Sequence, residues 1–185
     1  DDYDFPSNCC IKPTHLSGAV ILRNDNEQLD KQKIKRWLRK NHYRRDREAN
    51  YKTLKPKIIV EPIIFGNSNL EDYKFFCFNG KVKLIQVDID RRDSHKRLMF
   101  DRDWNVQDFS LKHPKASTVI AKPANYDEMV LIVERLALNF GFVRVDLYTN
   151  GQECLVGEIT NCHGGACERF IPKSGELVAS KIIFS

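Results

Sequence analysis

The sequence predicts an α+β fold with mainly antiparallel strands. Three observations predict it: short runs with strand character, two Asn-Gly turn dipeptides that join such runs, and two stretches with helical apolar spacing. At 185 residues the chain fits a single domain-sized unit. Its 42% hydrophobic and 30% charged residues are proportions of an ordinary globular protein, not of a disordered or membrane chain.

In chain order, residues Asn8 to Lys12 read as a strand, Ser17-Gly18 as a turn and Ala19 to Leu22 as a second strand in hairpin-like order. From Glu27 to Lys40, Leu29, Ile34, Trp37 and Leu38 recur at helical spacing among Lys and Arg, which predicts an amphipathic helix. Asn41 to Lys57 is basic and aromatic without clear periodicity and reads as a partly irregular connector. Strands are expected at Lys57 to Glu61, Tyr73 to Phe78 and Val82 to Asp90, the last two joined by the hairpin dipeptide Asn79-Gly80. After Lys122-Pro123, the residues Met129, Ile132, Val133, Leu136 and Phe140 place one apolar face on a helix from Tyr126 to Asn139. Phe142 to Tyr148 and Cys154 to Ile159 read as strands joined at Asn150-Gly151, with Gly164-Gly165 beyond them.

The formal charge of +5 suits polyanions in general, including nucleotides, nucleic acid or an acidic polysaccharide. The six cysteines show no even framework of loop-closing spacings and read as free thiols. No apolar run approaches the length of a membrane span and no signal-peptide pattern is present, so a cytoplasmic location is expected.

Two constellations carry chemistry. Lys12-Pro13-Thr14-His15-Leu16-Ser17-Gly18 sets a lysine at a strand end before a small-residue turn, where a point charge and backbone N–H groups can meet phosphate oxygens. An ordinary surface lysine before a hairpin turn is the alternative, and the Walker glycine spacing is absent. In the second, Arg144 and Asp146 lie two apart on one strand and share a face, while Glu158 and Thr160 close the next. Antiparallel pairing can bring the two carboxylates together, as magnesium beside phosphates requires. A cross-strand surface ion pair has the same pattern.

In order and combination these segments resemble the ATP-grasp superfamily from about Phe5 to Pro172. The resemblance implies an ATP-grasp fold of two lobes closing on ATP, here residues 1–60 as the small lobe with the phosphate-binding turn and 61–185 as the large lobe with the metal-binding strands. It makes Lys12, Ser17 and Gly18 the phosphate-binding loop and Val60-Glu61-Pro62-Ile63-Ile64 the adenine segment, with Glu61 and Ile63 as contacts. Glu71-Asp72 falls where an acidic residue meets ribose, and Lys74 joins the nucleotide-binding set. Arg144-Val145-Asp146 and Glu158-Ile159-Thr160 resemble the Arg-x-Asp and Glu-x-Asn pair that holds magnesium. Thr160 stands in place of the usual asparagine.

A closer resemblance is to the TupA-like ATP-grasp amidoligases of teichuronopeptide and polysaccharide biosynthesis. It rests on Asp72 to Lys81, Asp88-Ile89-Asp90-Arg91, His95-Lys96-Arg97, Phe142 to Tyr148 and Gly157 to Thr160. It implies an ATP- and magnesium-dependent ligase that forms an amide from a carboxylate, of small-molecule or saccharide type, and an amine through an acyl phosphate. Asp146, Glu158 and Thr160 would hold the metal, and Arg144 would act in catalysis. Arg91 and Arg92 supply guanidinium groups suited to a γ-phosphate or a donor carboxylate, with a strand-end salt bridge as the alternative. Members carry an N-terminal domain, which a chain beginning Asp1-Asp2-Tyr3-Asp4 is expected to lack.

Two rival readings remain. The basic, aromatic stretch from Lys35 to Lys52 fits a nucleic-acid-binding module or simply a solvated helix face. Cys162, His163 and Cys167 with Cys9 or Cys10 give a weak zinc pattern, since no partner pair has metal-ligand spacing.

Overall fold

The computed structural model describes residues 3–25, 27–66, 70–89 and 94–185. The chain divides into two compact units, Asp1–Ser68 and Asn69–Ser185. Both are mixed α and β, and every strand pair in their sheets is antiparallel.

Unit 1 is built on a three-stranded sheet in which β1 (Cys9–Pro13) lies between β2 (Ile21–Arg23) and β3 (Ile58–Pro62). β3 pairs with β1 along its whole length and runs through residue 60, the line at which the sequence reading ends the small lobe. The helix expected over Glu27 to Lys40 is shorter, α1 (Lys31–Leu38), because Asp30 caps it by accepting the Lys33 backbone N–H. Ile34 and Trp37 from α1 pack with Cys9 and Ile11 from β1 into a small core. The connector contains α2 (His42–Asp46) and a 3-10 turn at Ala49–Tyr51.

Unit 2 holds a five-stranded sheet in the order β6-β5-β4-β8-β9: β4 (Asp72–Phe78), β5 (Lys81–Ile89), β6 (Lys96–Asp101), β8 (Phe142–Thr149) and β9 (Cys154–Thr160). The Asn79-Gly80 turn forms as expected, with positive φ of 49° and 75° at its two central residues. On one face, Tyr73, Phe75, Val145 and Leu147 pack against Tyr126, Met129, Val130 and Val133 of α3 (Tyr126–Ala137). Each fully buried aliphatic or phenyl side chain there stabilises the fold by roughly 1.5–3 kcal/mol. On the other face a second core gathers Phe76, Leu84 and Met99 with Phe109 and with Ala179 of α4 (Gly175–Ile183).

Besides α2, four elements among the described residues go beyond the sequence expectation: β6, α4, and the two-residue strands β7 (Ser110–Leu111) and β10 (Phe170–Ile171), which pair with each other. In β6 Leu98 joins one core and Met99 the other, so both faces are apolar and the alternation that marks a half-buried strand is lost. No helix among the described residues is long and apolar enough to cross a membrane.

Candidate functional site

The second face of the large sheet carries polar residues where it leaves the Phe76–Leu84–Met99 core. Strand period and register dictate the arrangement. Lys74 pairs with Gln86 on one side and Asp146 on the other, and Asp146 pairs in turn with Glu158, giving a row across four strands. One row away, Phe76 pairs with Arg144 and Arg144 with Thr160. On the other side, Asp72 pairs with Asp88 and Asp88 with Arg97.

These side chains form a bonded network. The Lys74 ammonium donates to Asp72 Oδ2 at 2.6 Å and to Asp146 Oδ2 at 2.7 Å. Arg144 grips Asp146 with two parallel bonds, Nε to Oδ1 at 2.7 Å and Nη2 to Oδ2 at 2.8 Å, the strong bidentate geometry. Asp72, Lys74 and Asp146 are all buried. Burial alone would lower the Lys74 pKa, but the facing carboxylates Asp72 and Asp146 overcome it and hold the ammonium above its ordinary value. The same balance raises Arg144: burial opposes its charge, and Asp146, with Glu158 and Asp72, outweighs burial. Glu158 is the exposed member, its side chain 58% accessible. Its Oε1 accepts the Thr160 hydroxyl at 2.6 Å, and Thr160 Oγ1 accepts from Arg144 at 3.3 Å.

A second network adjoins through Asp88. Its buried carboxylate accepts from Arg97 Nε at 2.6 Å and Gln86 Nε2 at 2.9 Å, and His95 Nε2 lies 3.2 Å away. Burial would raise the Asp88 pKa, but Arg97 and Lys74 lower it below the usual carboxylate range. His95 stacks on His113 at 3.8 Å, and burial together with the neighbouring cations lowers the His113 pKa. Arg97 also reaches Glu168 at 3.6 Å, which Lys112 approaches at 3.3 Å. Glu168 is partly buried, yet His163, Arg97 and Lys112 together pull its pKa down to about 2.

In unit 1, Lys12 forms an ion pair with Glu61 across the β1–β3 ladder, where Glu61 lies opposite Cys10 and so on the same face as Lys12. Ser17 and Gly18 are exposed in the turn after β1, Gly18 with φ of 70°. Ile63 follows β3 directly. His15, in the same turn, is buried and hydrogen-bonded through Nε2 to the Trp37 carbonyl at 2.9 Å. His15 therefore anchors the turn to α1.

A model of the TupA-like ATP-grasp family matches residues 1–183. The chain belongs to that family. Among solved structures it is similar to a D-alanine–D-alanine ligase from Bacillus anthracis, at 19% identity and a TM-score of 0.46, over 93% of this chain and 49% of that one. It is also similar to the ATP-grasp ligase PsnB complexed with minimal precursor, at 11% identity and a TM-score of 0.40, over 85% of this chain and 41% of that one. The TupA-like chain thus spans less than half the length of either structure. No curated protein matches it.

The donor set fits the divalent metal typical of ATP-grasp proteins. Asp146 and Glu158 offer hard oxygen ligands from directly opposed positions, one carboxylate held by Arg144 and Lys74 and one exposed. Magnesium commonly takes one or two carboxylates and completes its shell with phosphate oxygens and water. Among the described residues no group of three or more His, Cys, Asp or Glu is placed to hold a metal ion, and Cys162, His163 and Cys167 make no such group. All six cysteines are free.

Of the sequence-predicted residues in unit 2, Asp72, Lys74, Arg144, Asp146, Glu158 and Thr160 come together, while Arg91 lies outside the described residues. Sequence reasoning gave no role to Gln86, Asp88, Arg97 or Glu168. A signal for the first two exists: Gln86 and Asp88 alternate with Ile85 and Val87, as Asp72 and Lys74 alternate with Tyr73 and Phe75. A hollow of about 610 Å³ in this unit, lined by Lys81, Lys83 and Arg102 among others, sits at the opposite end of β5 from Asp88 and is separate from this chemistry.

Proposed function

We propose that this chain is the ATP-using core of a ligase that joins a carboxylate to an amine through an acyl phosphate, acting in the cytoplasm in cell-surface polysaccharide synthesis. The observation that carries the reading is the Lys74–Asp146–Arg144 network with Glu158 opposite Asp146, in a member of the TupA-like ATP-grasp family.

The residue roles follow from donor chemistry. In the small lobe of this reading, residues 1–60, Lys12, Ser17 and Gly18 contact phosphate. In the large lobe, residues 61–185, Glu61 and Ile63 contact adenine, and Asp72 and Lys74 belong to the nucleotide-binding set. A lysine ammonium has three donors, and Asp72 and Asp146 take two, which leaves one N–H for a phosphate oxygen. Asp146, Glu158 and Thr160 would hold magnesium, which would supply charge neutralisation for the phosphates. Arg144 orients Asp146 through its two parallel bonds, and Arg144 with Arg91 draws the donor carboxylate and the γ-phosphoryl group together.

In the proposed reaction a carboxylate oxygen attacks the γ-phosphorus and the bond to the bridging oxygen of ADP breaks. The amine then attacks the acyl carbon, loses a proton and expels phosphate, leaving an amide. The deciding experiment uses the full-length protein and a donor carboxylate labelled with oxygen-18. One labelled oxygen is expected in the released phosphate. Label in AMP would refute the acyl phosphate in favour of an acyl adenylate, and ADP release without any amine would reduce the activity to phosphotransfer or leaky ATP hydrolysis.

A further inference from the structure

Charge is concentrated in one segment of unit 1. Residues 30–57 carry twelve Lys or Arg against three acids, a formal +9 in a chain whose total is +5, so the rest of the chain is net acidic. All twelve cations are exposed. Two of the three acids, Asp46 and Glu48, flank the buried His42 at 3.1 Å and 3.2 Å, one on each ring nitrogen, and Asp46 also pairs with Arg45 at 2.7 Å. Three acids leave most of the twelve cations without a local counter-charge to match them.

This distribution works against local stability. Lys31 and Lys35, and Lys35 and Arg39, are like charges one helical turn apart, which destabilises a helix. The first turn of α1 contains no acid and two lysines, opposing the helix dipole. Only Asp30 offsets it, by capping Lys33 and pairing with Arg36 at 3.3 Å. A surface so arranged gains its favourable energy from an anionic partner.

The side chains narrow the class of partner. Single-stranded nucleic acid is held on aromatic platforms, but here Trp37 is buried, Tyr51 packs on His42 with centroids 4.3 Å apart, and Arg47 and Lys52 flank the Tyr43 ring. A membrane-surface helix needs an exposed apolar face, but Ile34 and Trp37 face the core and leave Leu38 as the one exposed apolar side chain of α1. A single small anion cannot cover cations spread over α1, α2 and the segment beyond them, and each exposed pair is individually weak. We infer that the basic surface of residues 31–57 holds a soluble linear polymer bearing repeated carboxylates. The choice of carboxylate over phosphate rests on the ligase reading, because a polymer held there presents donor carboxylates at high local concentration.

The test titrates fluorescent polygalacturonate into this chain and into a Lys35→Glu, Arg39→Glu, Lys40→Glu variant, with single-stranded DNA of equal charge and phosphatidylglycerol vesicles as rivals. The polymer should bind, weaken as salt rises, and lose about tenfold or more in the variant, since three weak attractions become repulsions. A Gln set at the same positions repeats the measurement should the Glu variant unfold. Unchanged polymer affinity in the variant, no polymer binding, or tighter binding of DNA or vesicles would overturn the inference. Binding is read without ATP, so absence of polymer binding by the unaltered protein with intact ATP-dependent ligation refutes this surface alone, and polymer binding without ligation refutes the ligase reading alone.

Discussion

Replacing Lys74 with methionine removes a cation that touches both Asp72 and Asp146 while keeping most of the side-chain volume. The two bonds are 2.6 Å and 2.7 Å, and both carboxylates are almost fully buried, with side-chain exposures of 2% and 4%. Breaking a buried charge pair by removing one partner typically costs about 3–5 kcal/mol, because the remaining charge stays desolvated. Arg144 still grips Asp146, so the lower part of that range, about 3 kcal/mol, is expected. In a domain of this size it corresponds to a fall in Tm of roughly 6–12 °C. Trp37 and Trp104 are the chain's two tryptophans, so a Trp37→Phe background lets Trp104 fluorescence report the urea unfolding of unit 2. The penalty should shrink under acid, since protonating a carboxylate that has lost its lysine relieves part of the cost. The Lys74 pKa is raised in the fold, so its contribution in the parent is complete below the ordinary lysine range and is lost as pH rises through the raised value. A loss below about 1 kcal/mol, the worth of an exposed ion pair, would refute the reasoning, as would a loss independent of pH between neutral and acid.

Three further outcomes are expected. Glu168 has its pKa lowered from 4.5 to about 2, so its contribution is present above pH 4.5 and is lost as pH falls toward 2; Glu168→Gln should cost up to about 3 kcal/mol at pH 7, and the gap should close by pH 2 in paired denaturation curves. Asp146→Asn and Glu158→Gln should flatten the magnesium dependence of ATP affinity in isothermal titration, and unaltered dependence in both would remove them as metal ligands. Lys12→Ala should weaken ATP by roughly ten- to a hundredfold with adenosine little changed, since a charge-assisted bond is worth about 1.5–3 kcal/mol; equal losses for the two ligands would place Lys12 away from phosphate.

Local signals explain what was legible. Asn79-Gly80 demands two positive φ values, and the hairpin follows with Phe78 opposite Lys81. The apolar face of α3 follows from spacing, and the shared face of Arg144 and Asp146 from the period of two in a strand. The buried network was not legible in the same way. Asp72 and Lys74 alternate with apolar neighbours, a pattern that equally describes a strand with one wet face. What buries them is opposite charge from distant strands, such as Asp146, 72 residues away along the chain. Glu168 gives no periodic signal at all, because it follows a 3-10 turn and meets Arg97 and Lys112 only through the fold.

The opposition of Asp146 and Glu158 depends on a detail that spacing cannot supply. Counting back from the turn, Thr149 pairs with Cys154, Tyr148 with Leu155 and Leu147 with Val156, so an unbroken ladder would set Asp146 against Gly157. Glu158 would then point to the other face, because a one-residue slip reverses every side chain beyond it. A bulge at Gly157 corrects the register, so that Asp146 meets Glu158 and Arg144 meets Thr160. Glycine suits the place because a Cβ there would lie 2.8 Å from the Tyr148 ring, closer than carbon atoms approach without a shift. The Gly-Glu-Ile-Thr segment therefore works as one device: the glycine inserts the extra residue, and the insertion puts Glu158 and Thr160 on the same face as Arg144 and Asp146. A side chain at position 157 must displace Tyr148 or shift the ladder, and a shifted ladder would separate the two carboxylates without altering either of them.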